Sequence, residues 1–214
     1  MKKTERTRVK RVPKRGLYDR KTINAILDDH FLCHVGFVHE GYPVVIPTLY
    51  GRSEGNLYIH GATSSRMLRS MQEGIEVSVN ITLLDGLVLA RSAFHHSMNY
   101  RSVVIFGTAK SIVGEEEKRQ ALKVISDQVL PGRWEEVRTP NKKELKATAV
   151  LSIPIEEASA KVRTGPPVDE TEDYDLDVWA GIVPLQYAYG QPVYDPQLKQ
   201  GQALSKSVIN LPIL

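Results

Sequence analysis

The residues best suited to chemistry lie in one stretch, Leu57 to Met71, which reads LYIHGATSSRMLRSM. A strand-like apolar run stops at His60, passes through Gly61, Ala62 and three hydroxyl residues, and turns helical with a cation, Arg66, in the first turn. The first amides of a helix have no partner within it and carry the positive end of its dipole, so an anion docks there readily. Gly61 and Ala62 let an anion approach the backbone, Thr63, Ser64 and Ser65 offer hydroxyl donors, and Arg66 offers charge. Together they suit a phosphate monoester. Serine and threonine are also ordinary helix caps, so these residues alone leave a plain helix start open. Neither a P-loop nor a G-x-G-x-x-G pattern is present.

Other chemistries are poorly supplied. His95 and His96 are adjacent, and on a strand they point to opposite sides and cannot easily chelate one ion together. Cys33 is the single cysteine and sits in an apolar run, which excludes an internal disulfide and a thiolate metal cage. No H-E-x-x-H and no G-x-S-x-G occurs. A chain that seats phosphate without a nucleophile or a metal cage is what is expected when a cofactor does the chemistry and the protein holds it.

The elements that must position this junction follow from periodicity. Asp19 caps a short helix with Ile23, Ile26 and Leu27 on one face. FLCHVGFV and YPVVIPTLYG form a hairpin about HEG, and NLYIH follows the turn GRSEG. The spacing of Met67, Leu68 and Met71 predicts a helix over Ser64 to Gln72, stopped by Gly74. IEVSVNI alternates cleanly, LLDGLVLARSAF reads as two strand runs about an Asp85-Gly86 turn, and YRSVVIFGTAKSIV is a further strand. Gly114 to Leu130 is a helix opened by three glutamates, and TAVLSIPI reads as the last strand. Six or seven strands without strict β-α alternation disfavour a doubly wound parallel sheet. The pattern fits a mainly β (α+β) fold, an antiparallel barrel with peripheral helices.

The 214 residues, 42% hydrophobic and 25% charged, suit one domain with appendages. No apolar run approaches the ~18 residues of a membrane span, and the basic start lacks a secretory apolar core, so a soluble, cytoplasmic protein is expected. Residues 1–21 carry a charge of +8 and the remainder −5. Such a terminal run is read as a flexible, solvated arm, and nucleic-acid binding is not expected from it. From Gly165 the chain is acidic and proline-rich. The expected division is therefore an arm over 1–21, a barrel domain over 22–164, and an extension over 165–214 that packs on the barrel or on a partner subunit.

The order of segments resembles the flavin-binding split-barrel proteins related to pyridoxamine-phosphate oxidase, and within them the nitroimidazole-resistance (Nim-type) branch. The resemblance rests on GYPVVIPTLYG, LYIHGATSSRMLRSM and NYRSVVIFGTA, followed by the Glu-led helix ending VLPG. AKVRTGPP and VWAGIVPL match the family's C-terminal pieces more loosely. The resemblance implies a six-stranded antiparallel split β-barrel that forms a homodimer, with FMN in two grooves at the subunit interface. It places Pro47 and Thr48 beside the isoalloxazine ring. His60, Gly61 and Ala62 then line the ribityl chain, and Ser64, Ser65 and Arg66 hold the phosphate. Tyr100, Arg101 and Ser102 approach from the partner, and Trp179 covers the ring face. Tyr100 as interface packing, Arg101 as a surface ion pair and Trp179 as a packing anchor remain the plainer alternatives.

The vitamin B6 oxidases of this family carry an Arg-x-His pattern near the C-terminus, and here Arg163 stands without that histidine. Pyridoxamine phosphate is therefore not the expected substrate. The resemblance implies an FMN-dependent oxidoreductase that passes electrons from a nicotinamide donor to a small planar nitro or quinone acceptor. In it His60 serves either as proton donor or as a structural contact to the ribityl chain. The alternative is a non-catalytic carrier or sensor that binds flavin, deazaflavin or haem, with His34, His39, His95 or His96 as axial ligand. A weaker alternative makes the barrel a dimerisation module and the basic arm the binding element.

Overall fold

The computed structural model describes residues 1, 3–65, 68 and 74–213. Of the helix expected over Ser64 to Gln72, Arg66, Met67 and residues 69–72 lie outside the described residues. The first helix, α1, spans Arg20–Asp28, and the Asp19 carboxylate accepts from the Thr22 amide at 2.7 Å. That cap satisfies an amide with no partner inside the helix, and the helix buries Ile23, Ile26 and Leu27.

A meander of long strands follows. β1 (Gly16–Leu17) precedes α1; β2 (Leu32–His39) and β3 (Tyr42–Ser53) follow it as a hairpin whose turn places Glu40 at φ 49° and Gly41 at φ 81°. This is the mirror-image turn that matches strand twist. β4 (Asn56–Ala62) pairs with β3, and β5 (Glu76–Leu89) and β6 (Ser97–Thr108) form a second, longer hairpin. The chain continues through β7 (Lys110–Ser111) to α2 (Glu115–Val129), α3 (Arg133–Glu136) and α4 (Lys142–Ala147). It returns to the sheet as β8 (Thr148–Pro154), β9 (Glu157–Arg163) and β10 (Gly181–Pro184), and α5 (Lys206–Ile209) lies near its end. Among the described residues no helix is long and apolar enough to cross a membrane.

One antiparallel sheet runs in the order β1-β9-β6-β5-β2-β3-β4-β8-β7, with β10 added along β5. β8 and β9 are consecutive in the chain yet pair at opposite ends of the meander, β8 on β4 and β9 on β6. Their short connection therefore curls the sheet on itself. At the closure a Cβ on Gly107 of β6 would lie 3.3 Å from the Pro154 carbonyl of β8. Cys33, Val35, Val79, Ile81, Val103, Ile105, Leu57, Ile59 and Leu151 fill the interior. Burial there pushes the Cys33 thiol up to about 12, so it remains an inert thiol.

The class is the expected split barrel, with ten strands instead of six. Three of the additions are short: β1, β7 and β10 hold two, two and four residues. β9, EASAKVR, was not foreseen because it has few β-branched or aromatic residues; its alanines sit in the core instead. The Asp85-Gly86 turn does not form either. β5 runs through it with a register shift between Leu84 and Gly86, a bulge that keeps the strand paired to β6. The basic arm lies against the barrel: Arg6 pairs with Glu76 and Glu157, and β1 joins β9.

α2 lies across the outer surface of β3, where Gly51 has no side chain. A Cβ there would meet the Ile125 amide nitrogen at 2.6 Å. Backbone cannot yield as a side chain does, so Gly51→Ala is expected to lower the unfolding free energy by about 1–3 kcal/mol. Urea denaturation with an unchanged m-value checks this.

Candidate functional site

Tyr50 of β3 pairs with Ile59 of β4, and both face the core. Their neighbours Leu49 and His60 therefore point to the opposite, outer face, opposite one another in the ladder. α2 and α3 stand over that face and leave a groove of about 400 Å³ between the layers. Leu49 and His60 form its floor, Leu122, Val129 and Leu130 its roof, and Arg133, Trp134 and Pro140 its end. α2 is held there by Gly51 and by Gln128, whose amide donates to the His30 carbonyl at 2.7 Å and the Leu27 carbonyl at 3.0 Å. α5 braces α3: the Ser207 amide donates to Glu136 at 3.0 Å and Arg133 donates to the Ser205 hydroxyl at 3.0 Å.

His60 is half-buried, and its Nδ1 is sealed from solvent with no hydrogen-bond partner. Desolvation holds its pKa below the ordinary 6.5, so the ring is neutral at pH 7. Leu122, Leu130, Trp134 and Arg133, three of them apolar, belong to the groove and were not foreseen. They come from elements some 60 to 75 residues beyond His60 in sequence, and only the Arg-Trp pair directly after the Pro131-Gly132 stop marks the place.

The loop expected to seat a phosphate follows His60 directly. Ala62, Thr63 and Ser64 are exposed and Ser65 is half-buried. The Thr63 amide donates to the Ala147 carbonyl at 3.0 Å and the Ser65 amide to the Ala62 carbonyl at 2.9 Å. An anion at this loop is thus left with the hydroxyls, the Ser64 amide and the residues beyond Ser65. Gly61 serves a different need from the one expected: the space its Cβ would take is filled by buried Leu68, 2.8 Å away.

Pro47 is exposed on the outer face in a row with His34 and Asn80, while Thr48 pairs with Cys33 and turns toward the interior. Tyr100, Arg101 and Ser102 lie on β6, four places from β4 along the sheet order. Arg101 binds Asp85 through two nitrogens, at 2.8 and 3.0 Å, and also pairs with Asp29. These carboxylates hold its pKa above the usual arginine value. The Arg101 cluster borders a second pocket of about 400 Å³ where the His30 ring lies 5.4 Å from Phe31 and 5.7 Å from Tyr187. Ser102 donates to the Lys161 carbonyl at 3.3 Å.

Trp179 is exposed at the β10 edge, with its ring over Gly181, and does not line either pocket. Arg163 is buried and donates to Asn99 and to the carbonyls of Gly165 and Pro166, which leaves it committed within the fold. His95 and His96 occupy a 3-10 turn and the residue after it, not a strand; His95 faces Glu170 at 3.5 Å and a ring nitrogen of His96 meets the Ala90 carbonyl at 3.2 Å.

The model of the family described as pyridoxamine 5'-phosphate oxidase matches residues 19–162. Among solved structures, the flavocytochrome Anf3 from Azotobacter vinelandii is 39% identical, with a TM-score of 0.92 and coverage of 98% of both chains. The FAD and heme binding protein from Mycobacterium smegmatis is 38% identical, with a TM-score of 0.89, 92% of this chain and 97% of that one covered. A putative 5-nitroimidazole antibiotic resistance protein from Bacteroides thetaiotaomicron shares the fold at 24% identity and a TM-score of 0.58, over 69% of this chain and 86% of that one. No curated protein matches the chain.

His60 and His30 both carry pKa values lowered chiefly by burial. As pH falls through about 6.5 the unfolded chain takes up these protons before the native one does, so native stability is lost on the acid side. The urea midpoint is expected to fall between pH 7.5 and 5.5, and His60→Gln is expected to flatten that dependence. Parallel titrations of the two proteins measure it.

Proposed function

The chain belongs to the pyridoxamine 5'-phosphate oxidase family, and from that premise we propose that it is a flavin-binding redox protein of the flavocytochrome kind that works as a homodimer. The observation that carries this reading is the extent of the likeness. The flavocytochrome and the FAD and heme binding protein match at 39% and 38% identity over nearly the whole chain. That reach includes the segment after residue 162, beyond the family model. The nitroimidazole-resistance relative covers only 69% of this chain.

The flavin phosphate rests on Ser64, Ser65 and Arg66, an assignment that serves FMN and FAD alike; the Mycobacterium relative favours FAD. Pro47, exposed on the outer face, would stand beside the ring, with His60 at the start of the loop that would seat the phosphate. Tyr100, Arg101 and Ser102 lie on β6, away from the strands that carry Pro47 and His60, and would approach the ring from a second copy. Arg101, fixed by Asp85 and Asp29, then presents a permanent positive charge to that interface. A bound flavin would supply electron transfer between a nicotinamide donor and an acceptor, of which small planar nitro or quinone compounds are one class. Arg163 is spent on Asn99, Gly165 and Pro166, so its donors are not available to a substrate phosphate.

Purified dimer is expected to show flavin absorption that bleaches with a nicotinamide donor. A charge-assisted contact is worth about 1.5–3 kcal/mol, so Arg66→Ala should weaken flavin affinity by about 10- to 100-fold while the β-sheet circular dichroism is unchanged. Full affinity in that variant would remove the phosphate assignment.

A further inference from the structure

We infer that the pocket bounded by His30, Arg101 and Tyr187 seats the electron acceptor, and that this acceptor is a neutral planar ring bearing carbonyls, of the quinone class. The inference rests on the flavin reading and adds where the acceptor binds and which ligands the pocket turns away.

Three segments far apart in the sequence build the pocket, and each is fixed. Asp29, His30 and Phe31 join α1 to β2, and Gln128 of α2 donates to the His30 carbonyl at 2.7 Å. Leu83 of β5 and Arg101 of β6 are paired in the ladder. Tyr187 and Tyr189 follow β10, in a segment tied at both ends: the Leu185 amide donates to the Asp85 carbonyl at 3.1 Å, and Tyr189 bridges to Ile213. The enclosed volume of about 400 Å³ is within the usual range for a small-molecule site, about 300–1,000 Å³.

Rings form one side. The His30 ring lies 5.4 Å from Phe31 and 5.7 Å from Tyr187, both within the range of aromatic packing. Tyr187 is 70% exposed, so a further flat ring can stack on it. Burial holds the His30 pKa below its ordinary value, and the stack is uncharged at pH 7.

Arg101 forms the polar side. A guanidinium has five N–H donors. Nε and Nη2 each give one to Asp85, and Nη1 gives one to Asp29. One N–H on each terminal nitrogen is left for a ligand carbonyl. An anion is disfavoured, because this single cation already faces two carboxylates and Asp29 itself lines the pocket. The same charge balance disfavours the nicotinamide donor here, since its dinucleotide carries a diphosphate and Arg101 is the only lining cation among the described residues.

The proposed function directs Arg101 toward the partner's flavin ring, so a ligand in this pocket would be that ring's neighbour. Reduction of a quinone to its hydroquinone takes two electrons and two protons, which a fully reduced flavin gives up on returning to its oxidised form. A hydride from the nicotinamide donor and one proton from solvent restore them.

The test is equilibrium dialysis of the oxidised full-chain protein against menadione, a neutral naphthoquinone, and against a naphthoquinone sulfonate, with flavin content and particle mass measured on each sample. The wild type is expected to bind one menadione per chain and to bind the sulfonate about tenfold more weakly. Tyr187→Ala and His30→Ala should each weaken menadione binding by about 2- to 10-fold, the worth of one aromatic contact, with flavin content unchanged. Asp29→Asn should strengthen sulfonate binding by about 3- to 10-fold. If His30→Ala does not fold, Tyr187→Ala, at an exposed position, decides. Menadione affinity unmoved in Tyr187→Ala, or a wild type that binds the sulfonate as tightly as menadione, would overturn the inference and leave the flavin reading standing. A purified chain that takes up no flavin would overturn the flavin reading and the acceptor seat with it.

Discussion

Both pockets depend on one close approach, the α2 backbone resting on Gly51 of β3. Nothing larger than hydrogen fits between them, since a Cβ would meet backbone at 2.6 Å. The contact fixes the height of α2 above the sheet and hence the depth of the His60 groove. It also brings Gln128 within reach of the Leu27 and His30 carbonyls, which ties the end of α1 to the start of β2. His30, in the second pocket, is held through the same helix. A small residue on a strand thus governs two sites that share no lining residue.

The two faces of the sheet are covered unequally. Its inner face is closed by aliphatic side chains, while the outer face of β2 and β3 leaves Val45 65% and Val38 63% exposed beside Pro47 and His34. An exposed apolar strand face is costly to leave in water. The extension after β9 adds Tyr187, Val193 and Tyr194, also exposed. A second copy would cover such a surface and bring the β6 residues of one chain toward the β4 loop of the other, which is the arrangement the functional proposal uses.

Much of the barrel was legible in the residues because alternation is local. β2, β5 and β6 declare themselves through inward Cys33, Val35, Val77, Val79, Val103 and Ile105, and Asp19 and Gly41 mark a cap and a turn by chemistry that acts within a few residues. β9 was not legible, because its alanines gain their place from packing against β6 and not from propensity. Asp85-Gly86 misled for the reverse reason: a strong turn signal was overridden by continuous pairing on both sides of a bulge. Of the candidate site, His60 and the loop after it stand out in the sequence by residue type and spacing. The groove does not, since Leu49, Leu122 and Trp134 meet only after α2 is laid on β3. Arg101 was visible as a cation, but its commitment to Asp85 and Asp29 required the β5–β6 register and the end of α1.

The mass and flavin content of the purified full chain test the central claim most directly. A particle of twice the chain mass that carries flavin in both copies, with the flavin lost from Arg66→Ala, is predicted. A single-chain particle that takes up neither FMN nor FAD when these are added would contradict the account.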